Sequence, residues 1–100
     1  MPASGTYRLA PLAEADLEAI WLYTVQAWSV DQADIYLGEL FSAFDGLAKG
    51  HKLGRPVNVR AGYIKYLVGA HVVYFRLSAC GIDVIRILHQ SMDVERHLAT

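Results

Sequence analysis

The chain is 100 residues long, with 54% hydrophobic and 19% charged residues and a formal net charge of −1 at neutral pH. That length makes a single domain over residues 1–100, and the hydrophobic content excludes a disordered chain. A near-neutral balance, with a pI of about 6.4, lacks the basic field of a protein that grips phosphates, so no direct specific nucleic-acid binding is expected. Cys80 is the single cysteine, which rules out an internal disulfide and fits a reducing cytoplasm. No secretory leader pattern or apolar run of about 18 residues occurs, so no membrane association is expected.

Thr6-Tyr7-Arg8-Leu9 alternates and is closed by Pro11, which predicts a short edge strand. From Ala13 to Trp28 the pattern turns helical. Ala13, Leu17, Ile20, Trp21, Thr24 and Trp28 fall on one stripe at 3.6 residues per turn, with Glu14, Asp16 and Glu18 in the first turns. Ser29 then reads as an N-cap, with Gln32 placed to complete a capping box. A second helix follows to about Lys49, its stripe formed by Ala33, Tyr36, Leu37, Leu40, Phe41, Phe44, Leu47 and Ala48. Gly50 is its predicted left-handed terminator. So short a joint between the helices dictates an antiparallel hairpin. Leu22, Tyr23 and Ile35 lie off the stripes, either as tolerated surface residues or as contacts to a partner.

Residues 51–61 read as a loop back to the sheet, with a brief strand-like Val57-Asn58-Val59. Three runs rich in Val, Ile, Tyr and Phe come next, about Tyr63–Val68, His71–Ser78 and Ile82–Leu88. Their connections are too short for parallel crossovers, so they form an antiparallel meander. The central run is apolar on both faces. The helical hairpin covers one; the other is expected to meet a partner or line a shallow groove. A short helical tail follows Gln90, with Met92 and Leu98 available to dock on the core. The expected fold class is α+β: a two-helix antiparallel hairpin on a small, mostly antiparallel sheet, made of the N-terminal strand and the C-terminal meander.

Candidate chemistry is sparse. His89, Asp93 and His97 are spaced as ligands only if one continuous helix carried them, and His89 ends a strand, so no metal site is expected. Cys80 sits in a turn, and no phosphate-cradling glycine loop or cofactor motif is present. Acid–base cleavage of RNA would need cations to stabilise phosphorane charge and a group titrating near neutrality. Lys65, Arg76, Arg86 and His89 are available for that role. The competing reading is a few solvated basic residues and a histidine at a strand end. Strict alternation puts Arg86 and His89 on opposite faces unless a bulge intervenes.

One ordered set of fragments spans nearly the whole chain. It comprises Ala15-Asp16-Leu17 with Ile20, Tyr23 and Trp28; Gln32-Ala33 with Tyr36 and Leu40; Leu47-Ala48; and Gly54-Arg55-Pro56. Gly69 with His71-Val72-Val73-Tyr74-Phe75 follows, then Arg86-Ile87-Leu88-His89 with Met92-Asp93. This set resembles the ParE branch of the RelE/ParE superfamily of small bacterial toxins. The resemblance implies a toxin of a type II toxin–antitoxin module, neutralised by a ParD-like antitoxin whose C-terminal segment wraps it. It further implies DNA gyrase as the target, inhibited by protein contact without catalysis. RelE-type relatives instead cleave messenger RNA on the ribosome, which keeps Lys65, Arg76, Arg86 and His89 as the alternative. For the antitoxin, the expected contacts are Leu22, Tyr23 and Ile35 against an apolar helix face, and Arg76 and Arg86 against acidic side chains.

Overall fold

The computed structural model describes residues 5–92 and 94–98. Three helices, α1 (Pro11–Ala27), α2 (Val30–Ala48) and α3 (Val94–Leu98), accompany one five-stranded sheet. Its strands are β1 (Thr6–Leu9), β2 (Arg55–Pro56), β3 (Ile64–Val68), β4 (His71–Ser78) and β5 (Gly81–His89), in spatial order β1-β5-β4-β3-β2. The α+β hairpin-on-sheet architecture read from the pattern is the one present. The meander is antiparallel throughout, whereas β1 lies parallel to β5, pairing Thr6 with Gly81 and Leu9 with Val84.

Local chemistry sets the helix ends. Pro11 opens α1 rather than merely closing β1, because the first turn has no use for its missing N–H. At the next joint the Ser29 hydroxyl accepts the Gln32 N–H at 3.0 Å, one half of the expected capping box. Gly50 ends α2 at φ +79°, and the N–H groups of Gly50 and His51 reach back to the carbonyls of Leu47 and Gly46. This paired return is the Schellman arrangement, in which glycine avoids a Cβ penalty.

The hairpin covers the sheet through Leu17, Ile20, Leu40, Phe44 and Leu47, packed on Val73, Phe75, Ile82, Val84 and Ile87. Two stripe residues depart from expectation. Trp28 is 75% exposed, because α1 ends at Ala27 and the next residue leaves helical geometry, so the stripe no longer points inward. Phe41 sits at the margin, its ring edge-on to Phe44.

The second sheet face is the larger correction. Expected to meet a partner or line a shallow groove, it carries its own cluster of Tyr63, Tyr74, Leu88 and Leu98. Leu98 on α3 is 2% exposed and seals it, and Arg60 donates to the Leu98 carbonyl at 2.9 Å. Met92 does not dock in this way and stays exposed. The 51–61 segment contains β2, but at Arg55–Pro56 rather than 57–59. Pro56 stands opposite Ile64 at the sheet edge, where its lack of an N–H costs little.

Candidate functional site

The site is organised by a break in β5. Tyr74 pairs with Arg86, but Phe75 pairs with Val84, so Ile85 is an extra residue and the strand bulges. This bulge turns Arg86 toward α1. Asp16 receives it there with both oxygens, from Nε at 2.8 Å and Nη2 at 2.9 Å, and also accepts the Ile87 N–H at 2.9 Å. Both side chains are about five-sixths buried, at 16% and 15% exposure. Hydrogen bonding to Asp16 is the main influence holding the guanidinium above its ordinary pKa, against the opposing effect of burial. Asp16 therefore acts as a clamp between α1 and β5, not as the dipole-compensating carboxylate its sequence position suggests.

Beside this clamp lies a groove of about 360 Å³, lined by Ile20, Tyr23, His71, Ile87, His89 and Met92 among others. His71 and His89 face each other across paired strands, rings edge-to-face with centroids 5.4 Å apart. Burial lowers the His71 pKa from its ordinary value; repulsion from His89 adds to this, and Asp16 opposes it. His71 Nδ1 lies 2.7 Å from the Tyr36 hydroxyl, which also accepts the Ala70 N–H and donates to the Val68 carbonyl at 3.1 Å. One hydroxyl thus ties α2 to the turn between β3 and β4. Gly69 in that turn has φ +57°, and a Cβ there would come within 2.8 Å of the Tyr36 ring. On the other wall, His89 Nδ1 accepts the Ser91 N–H at 3.2 Å and lies 2.7 Å from its hydroxyl.

The four residues considered for RNA cleavage do not converge. Lys65 and Arg76 project from the α3 side of the sheet, where Arg76 stacks over Tyr63 with 5.7 Å between guanidinium and ring centre. Arg86 reaches Asp16 on α1 and His89 lines the groove on the same side, so both serve the helix side although they stand three residues apart; the bulge at Ile85 directly precedes the arginine. Arg86 is not a free cation, since its charge is already matched by Asp16. Asp93 lies outside the described residues. Among those described, no three His, Cys, Asp or Glu side chains gather as a metal-binding group.

Leu22, Tyr23 and Ile35 are all exposed but do not form one patch. Tyr23 opens into the histidine groove, and Ile35 opens into a different groove between α2 and β3. Sequence reasoning missed Asp16, His71 and Ser91 as parts of the site, and took Tyr36 only for a core residue. The available signal was a tyrosine on a buried stripe, whose hydroxyl needs a partner.

A sequence profile of the family described as "ParE toxin of type II toxin-antitoxin system, parDE" matches residues 7–94. The chain belongs to the ParE toxin family. It is 46% identical over 97 residues to Toxin ParE1 of Mycobacterium tuberculosis, covering 95% of this chain and 99% of that relative. Toxin ParE1 of Caulobacter vibrioides is 43% identical over 93 residues, covering 92% and 96%. Among solved structures, the fold matches the chromosomal ParDE TA system from P. aeruginosa with a TM-score of 0.75 at 20% identity, over 88% of this chain and 98% of that one. It also matches the RelBE2 toxin–antitoxin complex from Mycobacterium tuberculosis at 0.59 and 20% identity, over 87% and 99%. This protein is thus a ParE toxin of a type II toxin–antitoxin system, with the α+β fold of the superfamily. No helix among the described residues of the toxin is long and apolar enough to cross a membrane.

Proposed function

We propose that the toxin acts in the cytoplasm by binding DNA gyrase and blocking it through protein contact, with no catalytic step of its own. A ParD-like antitoxin neutralises it by laying the apolar face of a helix along the groove that Tyr23, Ile20 and Met92 border. The observation that carries the non-catalytic reading is the Asp16–Arg86 clamp. A phosphoryl-cleaving site needs cations aimed at developing charge. Here the one arginine beside His89 is neutralised, and Lys65 and Arg76 project from the opposite face. The groove offers apolar and aromatic walls around two imidazoles, a lining suited to a buried side-chain anchor. Arg76 is an exposed cation on that opposite face for an acidic antitoxin side chain.

Expression of the toxin alone, followed by plasmid topology and growth, tests this reading. Growth arrest with loss of negative supercoiling, both reversed by the co-expressed antitoxin, is the expected result. Arrest with unchanged supercoiling would remove gyrase as the target. Tyr23→Glu should abolish rescue while leaving the fold intact, since that side chain is 70% exposed.

A further inference from the structure

The histidine groove holds two metal-ligating side chains for which inhibition by contact has no use. His71 on β4 and His89 on β5 are direct cross-strand partners, so both rings stand on the same face of the sheet. The Gln90 N–H bonds the Ala70 carbonyl at 2.9 Å, which makes the next pair, His71 and His89, a non-hydrogen-bonded one. Side chains of such pairs approach most closely.

Each ring is steered from one nitrogen. His71 Nδ1 lies 2.7 Å from the Tyr36 hydroxyl, whose own proton goes to the Val68 carbonyl, so Nδ1 is placed to donate and Nε2 keeps the lone pair. His89 Nδ1 lies 2.7 Å from the Ser91 hydroxyl, which takes the same proton once the longer 3.2 Å bond from the Ser91 N–H is given up. A hydrogen-bond acceptor behind each Nδ1 is what orients imidazole ligands toward a metal.

The spacing fits one ion. A zinc-class ion sits about 2.0–2.1 Å from each imidazole nitrogen, so two rings on one tetrahedral ion have centres about 5–5.5 Å apart. The two centres here are 5.4 Å apart, with the ring planes at 86°. The electrostatics also admit a cation. No lysine or arginine lines the groove among the described residues, and Asp16 is part of its wall. The neighbouring Arg86 is matched by Asp16.

We infer that His71 and His89 together bind one divalent transition-metal ion of zinc's class through their Nε2 atoms. Imidazole selects that class over magnesium or calcium, which prefer oxygen. Two protein ligands leave two tetrahedral positions for water, so the ion exchanges readily, unlike a structural zinc held by four side chains. This assignment is independent of gyrase and of the antitoxin.

The test titrates zinc into untagged, full-length toxin by calorimetry and follows the histidine ring nitrogens by NMR. The expected result is one zinc per chain, with the Nε2 signals of His71 and His89 shifted, and no response to magnesium. His89→Gln should weaken zinc binding at least about tenfold, and Ser91→Ala about tenfold, since loss of a supporting partner costs about 10–100-fold. Ser91 is exposed, so that variant keeps the fold. His51→Gln, at another exposed histidine, should bind zinc like wild type. Zinc binding that is unchanged in both His89→Gln and Ser91→Ala overturns the site. So does folded wild-type toxin that takes up no zinc at millimolar concentration. Shifts confined to His51 would assign the ion to the surface and overturn it as well.

Discussion

Asp16 on α1 holds Arg86 on β5 through two nearly equal hydrogen bonds of 2.8 and 2.9 Å, seventy residues apart in the chain. The contact exists because a bulge at Ile85 rotates the arginine out of its expected face. Removing one partner leaves an uncompensated charge in a mostly buried place. Asp16→Ala should therefore destabilise the toxin by roughly 3 kcal/mol, read by urea unfolding, and a Asp16→Ala/Arg86→Met double variant should recover much of that loss. An Asp16→Ala variant as stable as wild type would show that the pair contributes little.

Tyr36 is the corresponding fastener between α2 and the β3–β4 turn. Tyr36→Phe keeps the packed ring but leaves the Ala70 N–H and His71 without their partner, at a cost of about 1–2 kcal/mol. Gly69→Ala at φ +57° meets both backbone strain and the Tyr36 ring, and should cost at least about 1 kcal/mol. Thermal unfolding of the two variants measures both.

The helix pattern, the meander and the edge position of β1 were legible because periodicity of 3.6 and 2 follows directly from which face is buried. The end of that rule is visible at Trp28, where the stripe runs on but the helix does not. The Asp16–Arg86 clamp was not legible, since it depends on one inserted residue that breaks the period of 2. The docking of the tail through Leu98 was legible, but not which sheet face it covers, because five helical residues carry too little pattern to show where they dock. Tyr36 illustrates a third kind of gap: its stripe position is right, yet its role lies in a hydroxyl that hydrophobic periodicity does not describe.

His71 makes stability depend on pH. Its folded pKa lies below the ordinary value of 6.5, chiefly because it is buried and secondarily because His89 faces it, with Asp16 opposing. The folded state thus binds fewer protons than the unfolded chain as pH falls. The contribution is present above about 6.5 and is lost as pH drops through the lower folded value. Unfolding free energy measured from pH 7.5 to 5 should decline less steeply in His71→Gln than in wild type. Equal slopes would remove His71 as the cause.

Leu98 seals the second core cluster at 2% exposure. Leu98→Ala should cost about 2–3 kcal/mol through the cavity it leaves over Tyr63, Tyr74 and Leu88. Increased binding of a hydrophobic dye would accompany it. A variant that unfolds like wild type would mean that α3 rests on the sheet without stabilising it.

The most direct measurement compares purified toxin in two reactions run side by side: supercoiling by DNA gyrase, and cleavage of messenger RNA on translating ribosomes. A gyrase poison that works through contact gives dose-dependent loss of supercoiling, intact messenger RNA, and the same inhibition from His89→Ala. Ribosome-dependent cleavage that disappears in His89→Ala and Arg86→Ala, with supercoiling unaffected, would contradict it.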